Sequence, residues 1–123
     1  MRTYERADYK TLAHWCARRD IEAPPEWVFP ATGYIVDEIA AGFLVFMNNE
    51  MAMIDFFISN PLSDKKERDK ALDKISKALI ARAKDAGIKM LICTTQKEAV
   101  KKRALFHDFK YQGEFSAFRL ELK

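Results

Sequence analysis

The clearest periodicity in the chain lies between residues 64 and 87. Ala71, Leu72, Ile75, Ala78, Leu79 and Ala83 recur three or four positions apart among lysines, arginines and aspartates, which predicts one long amphipathic helix. Asp64 followed by Glu67 is a capping-box-like pair that starts it, and Gly87 stands where a left-handed cap ends it. Upstream, GYIVDE, IAAGFLVFM and EMAMIDFFIS are apolar or alternating runs separated by the turn formers Asp37-Glu38 and Asn48-Asn49-Glu50. They predict three consecutive antiparallel strands. Asn60-Pro61 closes the third, because proline extends the residue before it and cannot donate to a ladder. KMLICTT, reached from the long helix through only Gly87 and Ile88, predicts a buried strand, and the helix between the two strands allows them to run parallel.

The flanks complete the order. Met1 to Arg6 alternates as a short first strand, and Asp8 is placed to cap a helix whose apolar positions are Leu12, Trp15 and Cys16. The stretch IEAPPEWVFPATG holds three of the four prolines and predicts a long surface connection. Lys97 to His107 predicts a last helix with Val100, Ala104 and either Phe106 or His107 facing inward. FSAFRLEL alternates as a final strand, whose free edge would allow a homodimer. The whole is expected to be a single α/β (α+β) domain over residues 1–123, with a sheet of about six or seven strands.

Composition narrows the class. With 49% hydrophobic and 32% charged residues the chain reads as globular rather than disordered. The longest apolar stretch, Ile39 to Met47, is far short of the ~20 residues that span a bilayer, and MRTYERADYK lacks a signal peptide's apolar region. A cytoplasmic location is the expectation. Cys16 and Cys93 fall in a helix and a strand without partners at metal-ligand spacing, so they read as reduced core thiols, and no metal is expected. The net charge of +3 is modest, and Lys65, Lys66, Arg68, Lys70 and Lys74 are interleaved with Glu67, Asp69 and Asp73 as on a solvated helix face. Nucleic acid is therefore not the expected partner.

Strand, helix, three antiparallel strands, long helix, parallel strand, helix, strand is an order that resembles the GNAT N-acetyltransferases over nearly the whole chain. Ile58-Ser59-Asn60-Pro61 is similar to the V-x-P-like end of that family's fourth strand, and His107-Asp108-Phe109 stands where the family has a segment ending in Gly-Phe. The resemblance implies three layers, a mixed, mostly antiparallel sheet with helices on both faces. It implies an acyl-coenzyme A, acetyl-CoA in the simplest case, lying in a splay between the fourth and fifth strands. Backbone amides of Phe57 and Ile58 would hold the pantetheine, and the helical turn Arg68, Asp69, Lys70, Ala71, Leu72, Asp73 the phosphates. The family's phosphate loop, R/Q-x-x-G-x-G/A, falls on Glu67 to Leu72, where Lys70 and Leu72 occupy the two glycine positions. Its common general acid, a tyrosine, falls on Ala104.

Asp55 is a lone carboxylate in an apolar strand, sharing a face by alternation with Met51, Met53 and Phe57. Burial would raise its pKa toward that of a general base, and the family often draws a base from this strand. Hydrogen bonding to neighbouring backbone is the other reading. Phe56, Phe57, Trp27 and Phe29 are candidate cleft walls. Thr94, Thr95 and Gln96 could contact ligand or cap the next helix; His14 and His107 read as packed or exposed. Two functions stay open: an acetyl-CoA-dependent N-acetyltransferase acting on a small-molecule or protein amine, or a catalytically inactive GNAT-fold protein binding an acidic protein or nucleic acid.

Overall fold

A computed structural model describes residues 1–95, 97–114 and 116–122. Its elements are β1 (Arg2–Thr3), α1 (Tyr9–Arg18), β2 (Thr32–Val36), β3 (Ala40–Phe46), β4 (Met51–Ser59), α2 (Lys65–Asp85), β5 (Met90–Cys93) and α3 (Glu98–Phe106). The five strands form one sheet in the order β1-β2-β3-β4-β5. The first three pairings are antiparallel, and β4 pairs with β5 in parallel through Met51↔Met90 to Ile54↔Cys93.

The alternation of β3 divides the core. Ala40 and Leu44 face α2, where Ala52, Ile54, Ala71, Ile75, Leu79 and Ala83 are buried with them. Ala41 and Phe43 face α1, with Leu12, Trp15, Phe29 and Ile35. Helices thus cover both faces. The α1-side layer is largely aromatic, with Tyr4, Phe29, Phe43 and Phe56 at ring separations of 4.7–6.4 Å.

The long helix is terminated as its sequence dictates. Asp64 Oδ2 accepts the Glu67 N–H at 3.3 Å, and Gly87 adopts φ +80° with open space around its α-carbon. Asp8 does something else. Its carboxylate accepts from the Glu5 N–H and from Arg2, so it closes a 3-10 turn over Arg6–Asp8 instead of capping α1. Those hydrogen bonds from Arg2 hold the Asp8 carboxyl below its ordinary pKa.

Two strand expectations change. β5 is half-buried, with Met90 59% exposed, because it lies at an edge of the sheet. Residues 116–122 form no strand, so five are present among the described residues where about six or seven were expected; Phe115 of that run lies outside them. No helix of the described residues is long and apolar enough to cross a membrane.

Candidate functional site

The site begins with a break in alternation. Between Ala41↔Ile58 and Phe43↔Asp55, β3 supplies one residue, Gly42, where β4 supplies two, Phe56 and Phe57. This is a β-bulge, and Phe56 takes φ +56° at its centre. A left-handed aromatic residue within a strand costs roughly 1–2 kcal/mol and persists only where the surrounding structure enforces it. Phe29 and Phe43 hold the Phe56 ring on the α1 side. Gly42 makes room on the other side, since a Cβ there would lie 2.7 Å from the Phe57 ring and 2.9 Å from Ile75 Cγ2.

The bulge corrects the expected faces. Phe57 packs on the α2 side with Ala52 and Ile54, whereas Phe56 and Ile58 pack on the α1 side. Asp55 therefore does not share a face with Phe57. Nor do the four aromatics meet in one cleft: Phe29 and Phe56 sit in the α1-side cluster, Phe57 on the opposite face, and Trp27 is 79% exposed.

β5 pairs with β4 only as far as Ile54, so the backbone from Asp55 to Ser59 has no β5 partner among the described residues. The pairing of the two strands thus ends just before the bulge. On the α2 side of the sheet is a cavity lined by Ile54, Phe57, Cys93, Arg103, Ala104 and His107, whose interior space of ≈ 20 Å³ would hold about one water. Asp55 Oδ1 accepts the Phe56 N–H at 2.8 Å. Burial, aided by the Asp55 charge, pushes the Cys93 thiol up, away from the thiolate that a nucleophile needs.

The residues expected at the phosphates are differently employed. α2 begins at Lys65, so the backbone N–H groups from Arg68 onward lie inside its ladder, beginning with Arg68 N–H to the Asp64 carbonyl. Lys65 and Lys66 carry the N–H groups left over at this helix end. Arg68 turns back, donating to the carbonyls of Ser63 and Pro61. Ala71 is buried and Leu72 packs against the core. Asp69 pairs with Arg103 at 3.6 Å, and Asp73 with His107 at 2.8 Å and Lys77 at 3.3 Å. Burial alone would raise the Asp73 carboxyl, but its bonds from Lys77 and His107 outweigh it and leave the pKa lowered. Lys70 alone of this turn stays exposed and unpaired among the described residues.

The α2–α3 clamp is the feature that sequence reasoning missed, although its signal was present. Asp69 and Asp73 are spaced by four on one helix, and Arg103 and His107 by four on the next. Among the described residues no group of His, Cys, Asp and Glu could hold a metal ion.

No family model matches the chain, and no curated protein matches it in sequence. Solved structures do match. The Thermus thermophilus protein TTHA1254 superposes with a TM-score of 0.68 at 14% identity, covering 100% of this chain and 99% of its own. An acetyltransferase of Trypanosoma brucei superposes with a TM-score of 0.64 at 11% identity, covering 98% and 97%. The chain shares the fold of these structures, which include that acetyltransferase and a probable acetyltransferase. At such identities the likeness is one of backbone path, and it transfers no residue's role. What this fold has in this chain is a bulge at Phe56, a length of β4 beyond its last pair with β5, and a helix end at Lys65.

Proposed function

We propose that the chain is a divergent acetyl-CoA-dependent N-acetyltransferase acting on an amine. The observation that carries this reading is that β4 runs on to Ser59 after its pairing with β5 ends at Ile54, which leaves the β5-side edge around Phe57 and Ile58 to receive an extended thioester arm by strand-like hydrogen bonds. The backbone groups of Phe57 and Ile58 hold the arm. The N–H groups of Lys65 and Lys66, with the side chains of Lys65, Lys66 and Lys70, receive the phosphates at the positive end of α2. This places the phosphates one turn earlier than Arg68 to Asp73. The acceptor amine attacks the thioester carbonyl carbon, the C–S bond breaks, and the thiolate leaves. Asp55 takes the proton released by the amine, directly or through water.

Thermal melting with acetyl-CoA tests binding, because a ligand held only by the native state stabilises it by about 2.7 kcal/mol at a hundredfold excess over its dissociation constant. A melting temperature unmoved by millimolar acetyl-CoA would sink the reading. Given a shift, Asp55→Asn should preserve it while slowing transfer to a panel of amines; unchanged turnover removes Asp55 from the mechanism.

A second reading is favoured by the small cavity and the absence of a glycine loop: a GNAT-fold binding protein without transfer. Lys65, Lys66, Lys70 and Lys74 would then face an acidic protein or a nucleic acid. Such binding must weaken steeply with salt, and its absence in low-salt buffer rejects this alternative.

A further inference from the structure

We propose that the amine acceptor is a monoamine with an extended apolar body, its ammonium held by Asp55 and its body lying along Met53, Ile92 and Met51 on the α1-side face of the sheet. The inference deepens the acetyl-transfer reading and rests on it for the fate of the bound amine. Strand pairing fixes the layout. Val45, Met53 and Ile92 are direct neighbours across three strands, and Met51 and Met90 form the next row outward. Directly paired residues share a face, and so do residues two apart on one strand. Asp55 pairs with Phe43, which is buried on the α1 side, so Asp55 and both apolar rows belong to that side.

The strip lies outside the packed core. The α1-side cluster extends through Phe43 and Phe56, whereas Val45, Met51, Met53 and Ile92 belong to neither buried cluster among the described residues. All four are half-buried, and Met90 is 59% exposed. Thioether side chains of this kind adapt to apolar ligands of varied shape. The Asp55 carboxylate stands at the inner end of the strip. Its Oδ1 accepts the Phe56 N–H at 2.8 Å, it forms no ion pair among the described residues, and none of their buried side-chain oxygens is left without a partner, so Oδ2 opens to solvent.

Charge complementarity selects the occupant. An alkylamine is an ammonium at neutral pH, as a lysine side chain is, and pairs with a carboxylate. From Asp55 to Met51 the strand offers about 13 Å of apolar length. The next carboxylate along it, Glu50, is already paired with Lys89 at 3.0 Å. A second ammonium on the ligand would therefore lie on methionine and isoleucine side chains and lose hydration without gaining a partner. The same placement serves transfer, because Asp55 precedes the bulge, and Phe57 and Ile58, which hold the thioester arm in that reading, follow it.

Titration calorimetry on the full chain at pH 7, without acetyl-CoA, compares butylamine, hexylamine, hexamethylenediamine and hexanol. Affinity should rise ~4-fold for each methylene between the two monoamines, and the diamine and the alcohol should each bind at least ~10-fold more weakly than hexylamine. Met53→Gln should remove most of the methylene gain, and Asp55→Asn should bring the affinity for hexylamine down to that for hexanol, both with an unchanged circular dichroism spectrum. Hexylamine left unbound at millimolar concentration, or bound no better than butylamine or the diamine, overturns the proposal. An acetylation assay separates it from the transferase reading. Hexylamine bound but never acetylated sinks transfer and leaves the binding site standing, whereas transfer to the diamine at a kcat/KM equal to or above that of hexylamine sinks the proposed site and leaves transfer standing.

Discussion

Gly42→Ala is the substitution that most directly probes how the bulge is built. The added methyl would sit 2.7 and 2.8 Å from two Phe57 ring carbons and 2.9 Å from Ile75 Cγ2, closer than any unstrained contact. Overpacking of this kind costs ~1–3 kcal/mol, while replacing glycine stiffens the unfolded chain and returns ~0.4–1 kcal/mol where, as here, φ is not left-handed. The net loss should be about 1–2 kcal/mol. With an unfolding entropy of ~2.1 cal/mol/K per residue, 123 residues give ~0.26 kcal/mol/K, so the melting temperature should fall by roughly 4–8 °C. The same substitution in a Phe57→Leu background should cost less, because two of the three close contacts are with the ring. A double-mutant cycle by calorimetry or urea denaturation measures that coupling. The reasoning fails if Gly42→Ala melts with the wild type, or if its cost is the same in both backgrounds.

Acid denaturation should report on the α2–α3 clamp. Lys77 and His107 hold the folded pKa of Asp73 below its ordinary 3.8, so the pair stabilises the chain above that value, and the stabilisation is lost as falling pH protonates the carboxylate. Asp73→Asn should lower stability by about 1 kcal/mol at pH 7 and flatten the decline below about pH 4; urea midpoints that fall in parallel for both proteins would contradict this. Cys93, its thiol pushed up by burial and by Asp55, should react with iodoacetamide more slowly at pH 8 than a small free thiol. Asp55→Asn removes the nearby negative charge and should speed that alkylation; an unchanged rate would place Asp55 too far from Cys93 to act on it.

Legibility in this sequence follows the range of the interaction concerned. α2 was readable to its ends because Asp64, the apolar stripe and Gly87 act within one helix. The parallel pairing of β4 with β5 was readable because a short helix-to-strand connection leaves few alternatives. The bulge was not. Phe56 and Phe57 are both aromatic, so exchanging their faces puts no polar group in the core, and period-two reading has nothing to detect. Asp69 and Asp73 were read as neighbours of a phosphate because their partners, Arg103 and His107, come from a helix some thirty residues away. The exposure of β5 was equally invisible: strand length is local, but being at an edge depends on what the last residues of the chain do.

The bulge makes one residue separable from the rest of the fold. Without Phe56, Asp55, Phe57 and Ile58 would fall opposite Phe43, Gly42 and Ala41 in unbroken register, and each would keep the face it has now. A chain one codon shorter could complete the ladder, give up a strained φ and lose the Phe56 ring from the aromatic layer. Making or removing this irregularity is thus within reach of a single insertion or deletion, an unusually short genetic distance between a regular ladder and one that carries a strained aromatic residue.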